Sequence, residues 1–150
     1  MFLSERKPSF SFLSSNSETT FNGITVKLEQ KSEDMICTVN SITVNDKDIK
    51  SDVSAWINSY EFYDNNIIIY SGNTSGVLLT IYSLNTNSAV MKLEPDTLDG
   101  YWVNSYTTNN NKITINGKEC GLQCGNESTG YPTATYEIEY LNNSFSQPML

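Results

Sequence analysis

Trp56-Ile57-Asn58-Ser59-Tyr60 returns 46 residues later as Trp102-Val103-Asn104-Ser105-Tyr106. At the same offset, with no gap, Asn65, Ile67 and Ile69 are followed by Asn111, Ile113 and Ile115. Repetition at a period of 40 to 50 residues marks a protein built from copies of one supersecondary unit. Both copies read as a strand, a polar turn at Asp64-Asn65-Asn66 or Asn109-Asn110-Asn111, and a returning strand. A helix from Asp52 to Tyr60 is the competing reading of the first copy, because Val53, Trp56, Ile57 and Tyr60 fall at helical spacing. The second copy follows Gly100 and runs into Thr107-Thr108, which favours strands in both.

Outward from the repeat, the same grammar continues. Asn22-Gly23 suits a tight hairpin turn whose central residues need positive φ. Residues 1–20 read as an edge strand around Phe10 and Phe12 followed by a polar loop through Ser14-Ser15-Asn16-Ser17-Glu18. Ile24 to Leu28 alternates as a strand does, and Met35 to Val44 reads as one long strand or two joined by a bend. Asn45-Asp46-Lys47-Asp48 and Asn85-Thr86-Asn87-Ser88 supply turns around strands at 77–84 and 89–93. Thr135 to Asn142 matches Leu78 to Asn85 at an offset of 57, and Met35 to Ile42 aligns with Val77 to Leu84.

The reading is therefore all-β and antiparallel: one domain, 1–150, with internal units at about 1–52, 53–98 and 99–150. Each unit would be a four-stranded sheet resembling a propeller blade in architecture. Three blades are too few to close a ring, since propellers have about four or more. Pairing of two copies as a homodimer into a six-bladed ring, a chain that is a fragment of a longer one, a β-trefoil-like barrel and a plain β-sandwich are the ways out.

Of 150 residues, 38% are hydrophobic and 17% charged, and the formal net charge is −8. Such a field repels phosphate backbones, so nucleic acid is not an expected partner. No histidine occurs, which excludes Ser-His-Asp and Cys-His nucleophile systems and every histidine ligand to a metal. The apolar runs Ile67 to Tyr70 and Val77 to Tyr82 are too short for a transmembrane helix. The first residues lack the apolar core of a signal peptide, so the protein is either cytoplasmic or a mature form. The polar Asn/Ser/Thr surface suits an extracellular or cell-envelope setting.

Residues i, i+2 and i+4 of a strand share a face. Trp56, Asn58 and Tyr60 would then form one aromatic-amide surface and Trp102, Asn104 and Tyr106 another, each able to stack on a sugar ring and bond its hydroxyls. The bland reading of the same residues is core filling. Glu137 and Glu139 share a strand face and are the carboxylate pair an enzyme acting on carbohydrate would use; alternation with Tyr136, Ile138 and Tyr140 also describes a half-exposed strand. Asp46, Asp48 and Asp52, like Glu94, Asp96 and Asp99, lack the pattern of a calcium loop and read as solvated turns. Cys120 and Cys124 could close a small disulfide ring; they lack partners for a zinc site. Cys37 sits in an apolar strand. These features point to a binding domain without catalytic residues, metal or cofactor, for a glycan or a protein partner. The carboxylate enzyme and a self-associating structural subunit are the alternatives.

Overall fold

The computed structural model describes residues 9–11, 16–33, 36–71, 76–119 and 132–150. Among them the fold is all-β, with thirteen strands and no α-helix. It comprises two compact units: Met1–Ser71 with Leu79–Lys92, and Gly72–Leu78 with Leu93–Leu150.

In the first unit, β1 (Ser9–Ser11) is followed by the meander β2 (Asn16–Phe21), β3 (Ile24–Glu33), β4 (Ile36–Val44) and β5 (Lys47–Asp48). A 3-10 turn at Lys50–Asp52 leads to a second meander, β6 (Ser59–Tyr63), β7 (Asn66–Tyr70), β8 (Leu79–Ser83) and β9 (Ser88–Leu93). β1 adds to the outer edge of β6, giving a five-stranded sheet in the order β1-β6-β7-β8-β9. The expected edge strand is thus β1, while the stretch read as a polar loop contains β2, whose alternating Ser17, Thr19 and Phe21 are small or polar except the last.

Turn chemistry sets the registers. Asn22-Gly23, Asn45-Asp46 and Asn142-Asn143 all have positive φ at both residues and close two-residue hairpins, the conformation that matches strand twist. Glu29 lies opposite Ser41 but Gln30 lies opposite Val39, so Asn40 is a bulge within β4, which is one strand and not two.

The two meanders of the first unit pack face to face. Val26, Leu28, Ile42 and Val44 from one sheet meet Tyr60, Phe62, Ile67, Ile69 and Tyr82 from the other. β2 and β3 keep the reverse face polar, with Glu18 directly opposite Lys27. β7 and β8 do not: Ile68 and Ile81, facing the other way, are fully buried too. An unbroken Ile67-Ile68-Ile69 run is the sequence form of a strand covered on both sides.

The second unit holds the third meander, β10 (Trp102–Asn109), β11 (Lys112–Lys118), β12 (Thr133–Leu141) and β13 (Ser144–Phe145). Burial alternates cleanly here: Ile113, Ile115, Gly117, Tyr136 and Ile138 face inward, and the residues between them do not. A 3-10 turn at Pro95–Leu98 precedes it, closed by Asp99 and Gly100 at positive φ. None of the three sheets closes on itself, which removes the trefoil-like barrel. No helix of the described residues is long and apolar enough to cross a membrane.

The repeat is a structural one. Tyr60 pairs with Ile69 and Phe62 with Ile67; at offset 46, Tyr106 pairs with Ile115 and Thr108 with Ile113. The third strands do not follow the offset of 57. Ile67 pairs with Tyr82, whereas Ile113 pairs with Ile138, so the structural offset is 56. With both faces of β8 buried, its composition does not distinguish one face from the other, and a one-residue slip in alignment goes unmarked.

Candidate functional site

The six repeated residues do not form two equivalent surfaces. In the first copy Trp56, Ile57 and Asn58 precede the strand and are neither helix nor strand. The expected strand start is displaced because the side group of one residue takes the place of a neighbouring strand. Buried Gln30 accepts from the Ile57 N–H at 2.9 Å and donates to the Ile57 carbonyl at 3.3 Å. Trp56 Nε1 donates to Asn58 Oδ1 at 2.5 Å, and Asn58 Nδ2 donates to the Ser71 carbonyl at 3.2 Å. Tyr60 is fully buried, with its hydroxyl 3.1 Å from Ser17 Oγ and 3.0 Å from Thr19 Oγ1. The amide and the phenol are thus committed to the fold, as the core-filling reading holds.

In the second copy all five residues lie in β10, but Val103 faces Gly117 while Ser105 faces Asn116, leaving Asn104 as a bulge. The bulge breaks the alternation on which a shared Trp-Asn-Tyr face depends. Tyr106 lies opposite Ile115 on the inner side, half-buried. Trp102 lies opposite Lys118 on the outer side, also half-buried.

What the bulge assembles instead is a set of cross-strand rows on one face of β10, β11 and β12. Trp102, Lys118 and Thr133 form the first row, and Ser105, Asn116 and Thr135 the second. Thr107, Thr114 and Glu137 follow, then Asn109, Lys112 and Glu139. Asn116 Nδ2 donates to Ser105 Oγ at 3.1 Å, which holds the amide in the plane of the face. The other side of the sheet at this end is closed tightly. A Cβ on Gly117 would stand 3.1 Å from the Tyr101 Cβ. Sequence reasoning chose Trp102 for this surface but missed Ser105, Asn116 and Lys118.

Glu137 and Glu139 do share a face, and Lys112 stands between them: it is directly opposite Glu139 and its Nζ is 3.3 Å from Glu137 Oε2. The pair is a half-exposed ion-pair row rather than two carboxyls flanking a cleft. Asp48 Oδ1 accepts from the Lys50 N–H at 2.8 Å, and Asp52 pairs with Lys92 at 3.0 Å. Asp99 Oδ2 accepts from the Tyr136 hydroxyl at 3.1 Å, and the Leu98 carbonyl accepts at 3.0 Å. Burial, then the bond to Asp99 and its charge, push the Tyr136 phenol up to about 12. Burial also raises Tyr70. Among the described residues, no group of three His, Cys, Asp or Glu side chains is placed to hold a metal ion. Cys120 and Cys124 lie outside the described residues; Cys37 lies in β4, opposite Ser32.

Depressions on the first unit are open and of mixed polar and apolar lining. One of 440 Å³ lies by Asn40, Lys50 and Ser54, and one of 420 Å³ lies over Glu18, Lys27 and Glu29.

The protein matches no family model, no curated protein and no solved structure.

Proposed function

We propose that this protein is a non-catalytic binding domain whose ligand is a neutral glycan, taken by the outer face of β10, β11 and β12. The observation that carries the reading is the placement of Trp102 in a row with Lys118 and Thr133, next to the row of Ser105, Asn116 and Thr135. A half-exposed indole offers an apolar plane to the C–H face of a sugar. Hydroxyls, an oriented amide and an ammonium around it match the ring's hydroxyl groups. The face carries Lys112 and Lys118 against Glu137 and Glu139, so its charges balance and favour an uncharged partner over a phosphate or a polyanion.

Titration calorimetry against a panel of soluble neutral oligosaccharides tests this, with Trp102→Ala and Trp56→Ala as the paired variants. Loss of a stacked, partly desolvated aromatic weakens binding by about 2 kcal/mol or more, roughly thirtyfold. The expected result is that loss for Trp102→Ala and retention for Trp56→Ala, whose indole is bonded to Asn58. A panel without binding, or equal loss in both variants, overturns the assignment.

A further inference from the structure

Two Asn-Gly pairs occur in the sequence, Asn22-Gly23 and Asn116-Gly117. Asn-Gly is the dipeptide most prone to cyclise, because glycine has no Cβ to obstruct approach of its backbone nitrogen to the asparagine carboxamide. The fold treats the two pairs oppositely. We propose that Asn22 is a site of spontaneous deamidation and that Asn116 is protected by the sheet.

Asn22 and Gly23 are both exposed and form the tip of the β2–β3 hairpin, with φ of 52° and 79°. The ladder is carried by the flanking Phe21 and Ile24, which pair across the turn, so the turn can open without undoing a strand. Apart from Gly23 and its two chain neighbours, no heavy atom lies within 4 Å of where a Cβ on Gly23 would stand, so the rest of the fold does not crowd the turn there. Asn116 is the reverse case. Its amide nitrogen is bonded to Ser105 Oγ at 3.1 Å. Gly117 is buried in the middle strand, paired with Val103 on one side and Ala134 on the other. Cyclisation there needs both ladders to part.

The chemistry needs only solvent. The Gly23 backbone nitrogen attacks Asn22 Cγ, the new C–N bond forms, and the carboxamide C–N bond breaks with release of ammonia. The proton lost from the Gly23 nitrogen passes through water to the leaving amine. One water molecule then opens the succinimide at either carbonyl, giving aspartate or isoaspartate, with no change in oxidation state. Each product ionises, taking the formal net charge from −8 to −9. Isoaspartate also inserts its Cβ into the backbone, so a two-residue turn gains one backbone bond. The strain falls on the Phe21–Ile24 and Thr20–Thr25 pairs and on Phe21, whose ring packs on Phe62 with centroids 5.1 Å apart. The modification therefore loosens the end of the hairpin that rests on the first unit's core.

The test is incubation of the whole protein at mildly alkaline pH, native and in denaturant, followed by peptide mapping and isoaspartyl methyltransferase labelling. In the native protein, Asn22 is expected to convert at least several-fold faster than Asn116. In denaturant the two rates should converge, because each pair is then an unstructured Asn-Gly. Conversion of Asn116 as fast as Asn22 in the native protein overturns the proposal. So does a native Asn22 that stays intact while the denatured protein converts at both sites.

Discussion

The β6–β7 and β10–β11 hairpins share a register residue for residue, yet one is core and the other presents a surface. Ile67 and Ile69, and their counterparts Ile113 and Ile115, are buried in both. What differs is the reverse face and the strand entering it. β7 is buried on both sides, and the strand before it begins from a segment held by Gln30. β11 alternates, and its neighbour is in the ladder from Trp102 onward. A repeat thus preserves pairing, which backbone bonds and turn lengths enforce. Burial is free to diverge wherever the surroundings of each copy differ.

The largest expected effect sets Phe62 against Thr108, which occupy the same place in the two ladders. Phe62 is fully buried, and Phe62→Ala should lower the stability of the first unit by about 3–5 kcal/mol. Thr108→Ala should stay within about 0.5 kcal/mol, as a half-buried position without a large side group. Urea unfolding followed by tryptophan fluorescence measures both. Equal effects would mean that the second copy's inner face is as consequential as the first copy's core.

A smaller effect separates how the two copies hold residue 57 and residue 103. Val103 has a strand partner in Gly117, whereas Ile57 depends on the carboxamide of Gln30 for both its backbone groups. Gln30→Leu keeps the volume and leaves a buried N–H and C=O without that partner, so a loss of about 2–4 kcal/mol is expected. Hydrogen exchange at the Ile57 amide should accelerate in the variant while that at Val103 is unchanged. Unaltered protection at Ile57 would show that Gln30 does not hold this segment.

The sheets were legible because turn chemistry and apolar periodicity are local signals. Asn22-Gly23, Asn45-Asp46 and the Ile-rich second strands each announce their structure within a few residues. What was not legible depends on partners distant in sequence. Gln30 reads as one more polar strand residue until its carboxamide is seen bonded to Ile57, 27 positions away. Ser17 and Thr19 read as loop because their apolar neighbour, Tyr60, is 41 or more positions distant. The face of Trp102 was misjudged for a different reason. A bulge at Asn104 shifts everything beyond it by one residue, and period-two reasoning carries no marker for that shift.

The smallest effect concerns a tyrosine that only the second unit has in this setting. Thr80 occupies the place in β8 that Tyr136 occupies in β12, since they pair with Ile69 and Ile115 respectively. Thr80 Oγ1 donates to the Asp52 carbonyl at 2.8 Å, and Tyr136 donates to the Leu98 carbonyl and to Asp99. Each copy thus ties its third strand to the 3-10 turn before its first strand, but only the phenol titrates. An ordinary tyrosine ionises near 10; burial, followed by the bond to Asp99, holds Tyr136 to about 12. The folded protein therefore keeps a proton that the unfolded one releases. The stabilisation this represents is fully present below about pH 10, and it is lost as pH rises through about 12. Absorbance titration of the phenolates should show a late component that Tyr136→Phe removes, with stability of the second unit in wild type falling across the same window. A component with its midpoint near the ordinary 10 would mean that neither the burial of Tyr136 nor its Asp99 contact persists in solution, and the link between β12 and its turn would then fall.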